Sequence, residues 1–160
     1  MIRHSAHRRA SHVLRDQEGS ALIEFTIMAP LLLSLVLGIS EFGRFLYQYQ
    51  MVLEGLRDAG RYLGRLDAND ATNQSNAANL ATTGTIDGTG EPRVDNWEAG
   101  DIDFSVTDVD NSAEIYRGPA EIEVIEVTTT FDYADVGFLS ALGFDPISVD
   151  AAHQERVIEE

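Results

Sequence analysis

The sequence predicts an α+β protein in which a long N-terminal helix, with a membrane half and an amphipathic half, packs on a small C-terminal antiparallel sheet. Three observations point there. Residues 25–40, FTIMAPLLLSLVLGIS, are sixteen positions without a charge. Beyond them, apolar residues recur at spacings of three and four as far as Leu66, the period of one helix face. In the last third, Ile102, Phe104 and Val106 alternate with Asp103, Ser105 and Thr107, the period of a half-buried strand.

Composition narrows the chemistry. The 160 residues carry 27 acidic and 11 basic side chains, a formal charge of −16, and every basic residue is arginine. Without lysine there is no Walker A lysine, no Schiff base and no lysine acid–base chemistry. Without cysteine there are no disulfides, thiolate metal sites or thiol nucleophiles. Acid gathers late: residues 67–160 hold 21 acids against Arg93, Arg117 and Arg156. Such a domain repels phosphate backbones, so nucleic acid is not an expected partner.

Residues 1–19 are the opposite, with Arg3, Arg8, Arg9 and Arg15 beside His4, His7 and His12. Ahead of an apolar run, this reads as a basic cytoplasmic leader. A helix crossing the hydrocarbon core needs about 20 residues, and Ser20, Ala21, Leu22 and Ile23 supply the length that residues 25–40 lack. Three readings compete: a buried helix of a soluble protein, a secretory signal cut near Ser40 at Gly38-Ile39-Ser40, and a retained membrane helix whose leader ends at Gly19. The second would release a periplasmic ligand-binding domain.

Glu24 bears on the choice. A carboxylate inside an apolar span costs about 2.5–3.5 kcal/mol on insertion scales, which a discarded signal has no reason to carry. Cutting after Gly19 would leave a free amine on Ser20, and a neighbouring copy offset along the axis would meet Glu24 with that amine. The cost of the charge would then set the register between copies.

The string Gly19-Ser20-Ala21-Leu22-Ile23-Glu24-Phe25, followed by the apolar run with Pro30, Gly38, Glu41, Phe42, Gly43 and Arg44, resembles the TadE-like family of pilin-like (pseudopilin) proteins. The resemblance extends through Arg61 and Arg65, and more loosely to the C-terminal strands and Gln154-Glu155-Arg156. It implies processing after Gly19 by a prepilin peptidase, Ser20 as the new N-terminus and Glu24 as the recognition and assembly glutamate. Where processed members of the wider Flp group commonly have tyrosine after that glutamate, this chain has Phe25, so any role of the hydroxyl is absent. It further implies, as partners, other pilin-like subunits, an inner-membrane pilus assembly platform and the lipid bilayer.

Past the span, Phe42, Phe45, Tyr49, Val52, Leu56, Ala59, Leu63 and Leu66 form one apolar seam. It would cover either the chain's own sheet or a neighbouring helix. On the other faces, Glu54 with Arg57 and Asp58 with Arg61 are spaced for weak ion pairs. A helix over residues 21–66 would be roughly 69 Å long, too long for a membrane alone. Gly55, Gly60 and Gly64 lower its propensity, and Pro30 predicts a kink in the membrane part.

Residues 67–100, rich in Asn, Thr, Gly and Asp, read as a long polar loop with a short helix at residues 77–80. Gly84, Gly88 and Gly90 lack the strand and the lysine of a phosphate loop. Asn73-Gln74-Ser75 is a formal glycosylation sequon, and Trp97 is expected to cap the core.

Strands follow in the acidic region 101–160. Ile122, Val124, Val127, Thr129 and Phe131 form a longer run, where the adjacent Val124 and Ile125 suggest a bulge or burial on both faces. Ile147, Val149 and Ala151 begin another strand, and residues 134–144 before it are a short helix or an apolar loop. His153 is the only histidine outside the leader, so no histidine triad or multi-histidine metal site can be assembled. Asp108, Asp110 and Glu114 faintly suggest a calcium loop but lack its glycine and its final glutamate. No catalytic, cofactor-binding or metal residue is assigned.

Residues and resemblance together predict a non-enzymatic subunit in five parts: leader 1–19, transmembrane half 20–41, amphipathic half 42–66, polar loop 67–100 and acidic periplasmic domain 101–160. It would be a single-pass inner-membrane protein with a cytoplasmic N-terminus and a periplasmic C-terminal domain, assembling a tight-adherence pilus or related secretion system, with the extracellular pilus as a second location.

Overall fold

The computed structural model describes residues 17–157. The arginines and histidines of the leader fall outside them. The chain divides into two compact units at the bond between Ser40 and Glu41, where the uncharged run ends.

Helix α1, Gln17–Leu63, runs for 47 residues through Pro30. Proline lacks the N–H that would bond the carbonyl four residues back, yet the helix continues past it. In the first unit α1 has its apolar side chains outward: Leu22, Phe25, Leu31, Leu33 and Ile39 are all exposed. The helix Gly19–Leu63 is long and apolar enough to cross a membrane, and nothing in its most apolar window is buried.

In the second unit the C-terminal part of α1 meets helix α2, Ala71–Thr83, and a three-stranded sheet. The strands are β1, Ile102–Asp110, β2, Glu121–Asp132, and β3, Ser148–Arg156. Both pairings are antiparallel with β2 central, so the predicted class is what forms. Val52, Leu56, Ala59 and Leu63 of α1 are fully buried with Ile125, Val127 and Phe131 of β2. The odd-numbered residues of β2 therefore face the core, as strand alternation requires.

Thr129 shares that face without cost to its hydroxyl. It accepts from Nε1 of Trp97 at 2.9 Å and donates to the Asp101 carbonyl at 2.7 Å. Trp97 is thus a core residue held in one orientation.

Four expectations are refined. The β1–β2 and β2–β3 registers run without a break, so adjacent Val124 and Ile125 mark burial on both faces and not a bulge: Ile122, on the even face, is buried outside the main core. Helix α1 stops at Leu63, and Leu66 is exposed. Of the expected ion pairs, Asp58 binds Arg61 and also Arg93 at 2.7 Å, while no bridge joins Glu54 to Arg57 among the described residues. The largest difference is α2, thirteen residues long in place of a short turn of helix.

Helix α2 is bracketed by its caps. The Asp70 carboxylate accepts the N–H groups of Thr72 and Asn73, and Gly84 closes the other end at φ 76°. Its buried face is Ala77, Ala78, Ala81 and Thr82, small because α2 lies close against α1. A β-carbon on Gly55 of α1 would collide with the Ala81 carbonyl and stand 2.7 Å from the Trp97 ring.

Candidate processing and assembly segment

Gly19, Ser20, Glu24 and Phe25 all lie within α1. Each is exposed, and a β-carbon on Gly19 would meet nothing within 4 Å. Polar side chains further along the helix fold back onto its backbone. Thr26 donates to the Leu22 carbonyl at 2.7 Å and Ser34 to that of Leu31 at 2.9 Å. This is how hydroxyls are satisfied where water is scarce. Glu24 has no hydrogen-bond or ionic partner among the described residues. The segment therefore has one exposed carboxylate on an otherwise apolar surface, able to take a cation from outside itself.

The seam divides. Val52, Leu56 and Leu63 are fully buried beneath the sheet, Phe45 and Tyr49 half-buried, and Phe42 is 61 % exposed. So the part from Val52 onward covers the chain's own core, and Phe42 stands outside it. Phe45 stacks between Phe42 and Tyr49 and meets the edge of Tyr133 at a centroid distance of 5.4 Å.

Sequence reasoning missed a polar joint at the start of the second unit. Glu41, read as the charge that ends the apolar run and as one of the residues of the family resemblance, is buried. Its Oε1 accepts the Tyr133 hydroxyl at 2.7 Å and the Val136 N–H at 3.2 Å. One turn on, Arg44 and two turns on, Gln48 both donate to the Ala134 carbonyl, at 3.3 and 3.2 Å. Oε2 of Glu41 and Oε1 of Gln48 are buried with no protein partner. Burial, followed by the bond to Glu41, pushes the Tyr133 hydroxyl far above its ordinary range, so it remains a donor. A glutamate directly after an apolar run was the only local signal, because its partner is 92 positions away.

No three His, Asp or Glu side chains converge as a metal site among the described residues. Asp110 instead caps a turn at the N–H of Ser112, at 2.8 Å.

Near its start α1 carries Gly19 and, five positions on, the exposed carboxylate of Glu24. Residues 19–61 match the family model of TadE-like proteins. The TadE-like segment begins at Gly19, the residue expected to precede the cut, and ends within α1 two residues before the helix does. It includes Ser20, Glu24, Phe25 and the joint residues Glu41, Arg44 and Gln48, but neither α2 nor the sheet. No curated protein and no solved structure matches the chain.

Proposed function

We propose that this protein is a non-enzymatic, pilin-like subunit for assembly of a tight-adherence type IV pilus or a related secretion system. Its leader is removed after Gly19 by a prepilin peptidase, and Ser20 becomes the first residue of a single-pass inner-membrane protein with its acidic domain in the periplasm. The reading is supported above all by the TadE-like match, which starts at Gly19 and follows an exposed apolar helix.

The chemistry is that of assembly. Glu24 is costly in lipid when alone and is stabilised when the Ser20 amine of a neighbouring subunit lies beside it. The partners are accordingly the prepilin peptidase, other pilin-like subunits and the inner-membrane assembly platform.

N-terminal mass spectrometry of the chain isolated from membranes tests this. A chain beginning at Ser20 is expected. One beginning near Glu41, recovered in the osmotic-shock fraction, would instead mean an exported periplasmic domain, and an intact Met1 would mean a plain membrane anchor.

A further inference from the structure

The connection between β2 and β3 is closed at its base by the Tyr133 N–H, which donates to the Ile147 carbonyl at 2.9 Å. Inside it, the Asp135 carboxylate accepts the N–H and hydroxyl of Ser140 at 3.0 and 3.2 Å, shaping the short helix α3, Phe138–Ala141. Gly143 turns the chain at φ 82°, and the Phe144 N–H returns to the Leu139 carbonyl at 3.1 Å. This hydrogen-bonded turn points apolar side chains away from the core: Leu142 is 60 % and Phe144 61 % exposed, with Val136 and Ile147 also outward.

Exposure alone does not say what covers them. At the other end of the sheet the β1–β2 connection exposes Ile115, at 77 %, and Tyr116. Attachment separates the two ends. Residues 133–136 are hydrogen-bonded to Glu41, Arg44 and Gln48, and Glu41 follows Ser40, the last residue of the uncharged run, directly in the chain. Residues 41–48 are thus the first eight positions beyond that run. The same stretch exposes Phe42, Leu46 and Tyr47, and aromatic side chains concentrate where a spanning helix meets the headgroups.

We propose that the β2–β3 connection, through Val136, Leu142 and Phe144, rests on the outer headgroup–acyl boundary of the bilayer that the first unit crosses, making a second membrane contact beside Phe42 and Tyr47. The inference depends on the membrane reading of residues 20–41. The loop contributes Asp135 and Asp145 and has Arg44 bonded to its Ala134 carbonyl, so the contact carries no net positive charge and the surface it suits is zwitterionic and not anionic. The Ile115 end has no hydrogen bond to Glu41, Arg44 or Gln48, so the proposal assigns lipid contact to the β2–β3 connection alone.

The absence of cysteine makes a clean test. The full chain, with an environment-sensitive fluorophore on Leu142→Cys, Phe144→Cys, Ile115→Cys or Leu35→Cys, is reconstituted in phosphatidylcholine vesicles with lipid-attached quenchers at shallow or deep positions. The labels at 142 and 144 should lose most of their emission to the shallow quencher, that at 35 to the deep one, and that at 115 should lose little to either. Quenching at 35 but at neither 142 nor 144 overturns the inference and leaves the membrane reading intact. No quenching at 35 removes the membrane reading and the inference with it. A change at 142 and 144 that follows protein density and ignores the lipid quencher would mean that a second copy covers the loop, which also overturns it.

Discussion

The hydroxyl of Tyr133 donates to the carboxylate of Glu41 at 2.7 Å, joining the residue after β2 to the first residue beyond the uncharged run. Both groups are buried, so removing either leaves the other without its partner. Tyr133→Phe keeps the Val136 N–H on Glu41 and should cost about 1–3 kcal/mol. Glu41→Ala strands both donors and should cost more. The two losses should not add, since they remove one interaction. Urea unfolding of the full chain in detergent, followed by emission of the single Trp97, measures all three, and an additive double variant would count against the joint.

Close helix packing sets a second expectation. Gly55→Ala drives a methyl group into the Ala81 carbonyl and the Trp97 ring, and overpacking of this kind costs about 1–3 kcal/mol. Gly43→Ala meets nothing within 4 Å and should stabilise the same helix by up to about 1 kcal/mol through propensity. Opposite shifts in the urea midpoint are expected. Equal shifts would mean that α2 does not lie against Gly55.

These two sites show what was legible beforehand. Leu56 and Leu63 declare a helix through spacing, and Ile102 to Val106 declare a strand, because periodicity persists whatever the element packs on. Helix α2 hides because its buried face is Ala77, Ala78 and Ala81, residues whose burial no hydropathy pattern marks. Asp70 and Gly84 were the available signals, an N-cap and a left-handed stop thirteen helical residues apart. The Glu41 joint was illegible for another reason, since a buried carboxylate is recognised by its partners and these come from distant sequence. Gly19 and Glu24 were singled out through motif alone, and both lie within the residues that match the TadE-like family model.

Asp58 gives the acid side of stability a sign. Burial alone would raise its carboxyl, but hydrogen bonds from Arg93 and Arg61 outweigh that and hold it below the ordinary value of 3.8. A lowered folded value contributes stability that is present above the unfolded one and is lost as pH falls through the folded one. Asp58→Asn should therefore lower the urea midpoint at pH 7 and flatten the decline below about pH 4. A variant declining as steeply as the parent would sink this.

Tyr133 supplies the alkaline counterpart. Its raised folded value means a contribution whole below the ordinary value of 10.0 and lost as pH rises through the higher one. Tyr133→Phe should remove that part of the decline. Stability measured from pH 8 upward, parent beside variant, checks it.

For Glu24, Glu24→Leu removes a charge from an apolar surface and should insert at least as well as the parent while failing to assemble. Membrane fractionation with counting of surface pili gives both readouts. Normal piliation would disprove the pairing with the Ser20 amine.

Because β2 holds a neighbour on each side, β1 and β3 are left as the two margins of the sheet. A bare margin is where one chain zippers onto the next. Here Asp103, Asp108 and Asp110 ride on β1, and Asp150 and Glu155 accompany Arg156 on β3. Two β1 margins that meet carry like charge, so that edge does not by itself turn these domains into a continuous ribbon.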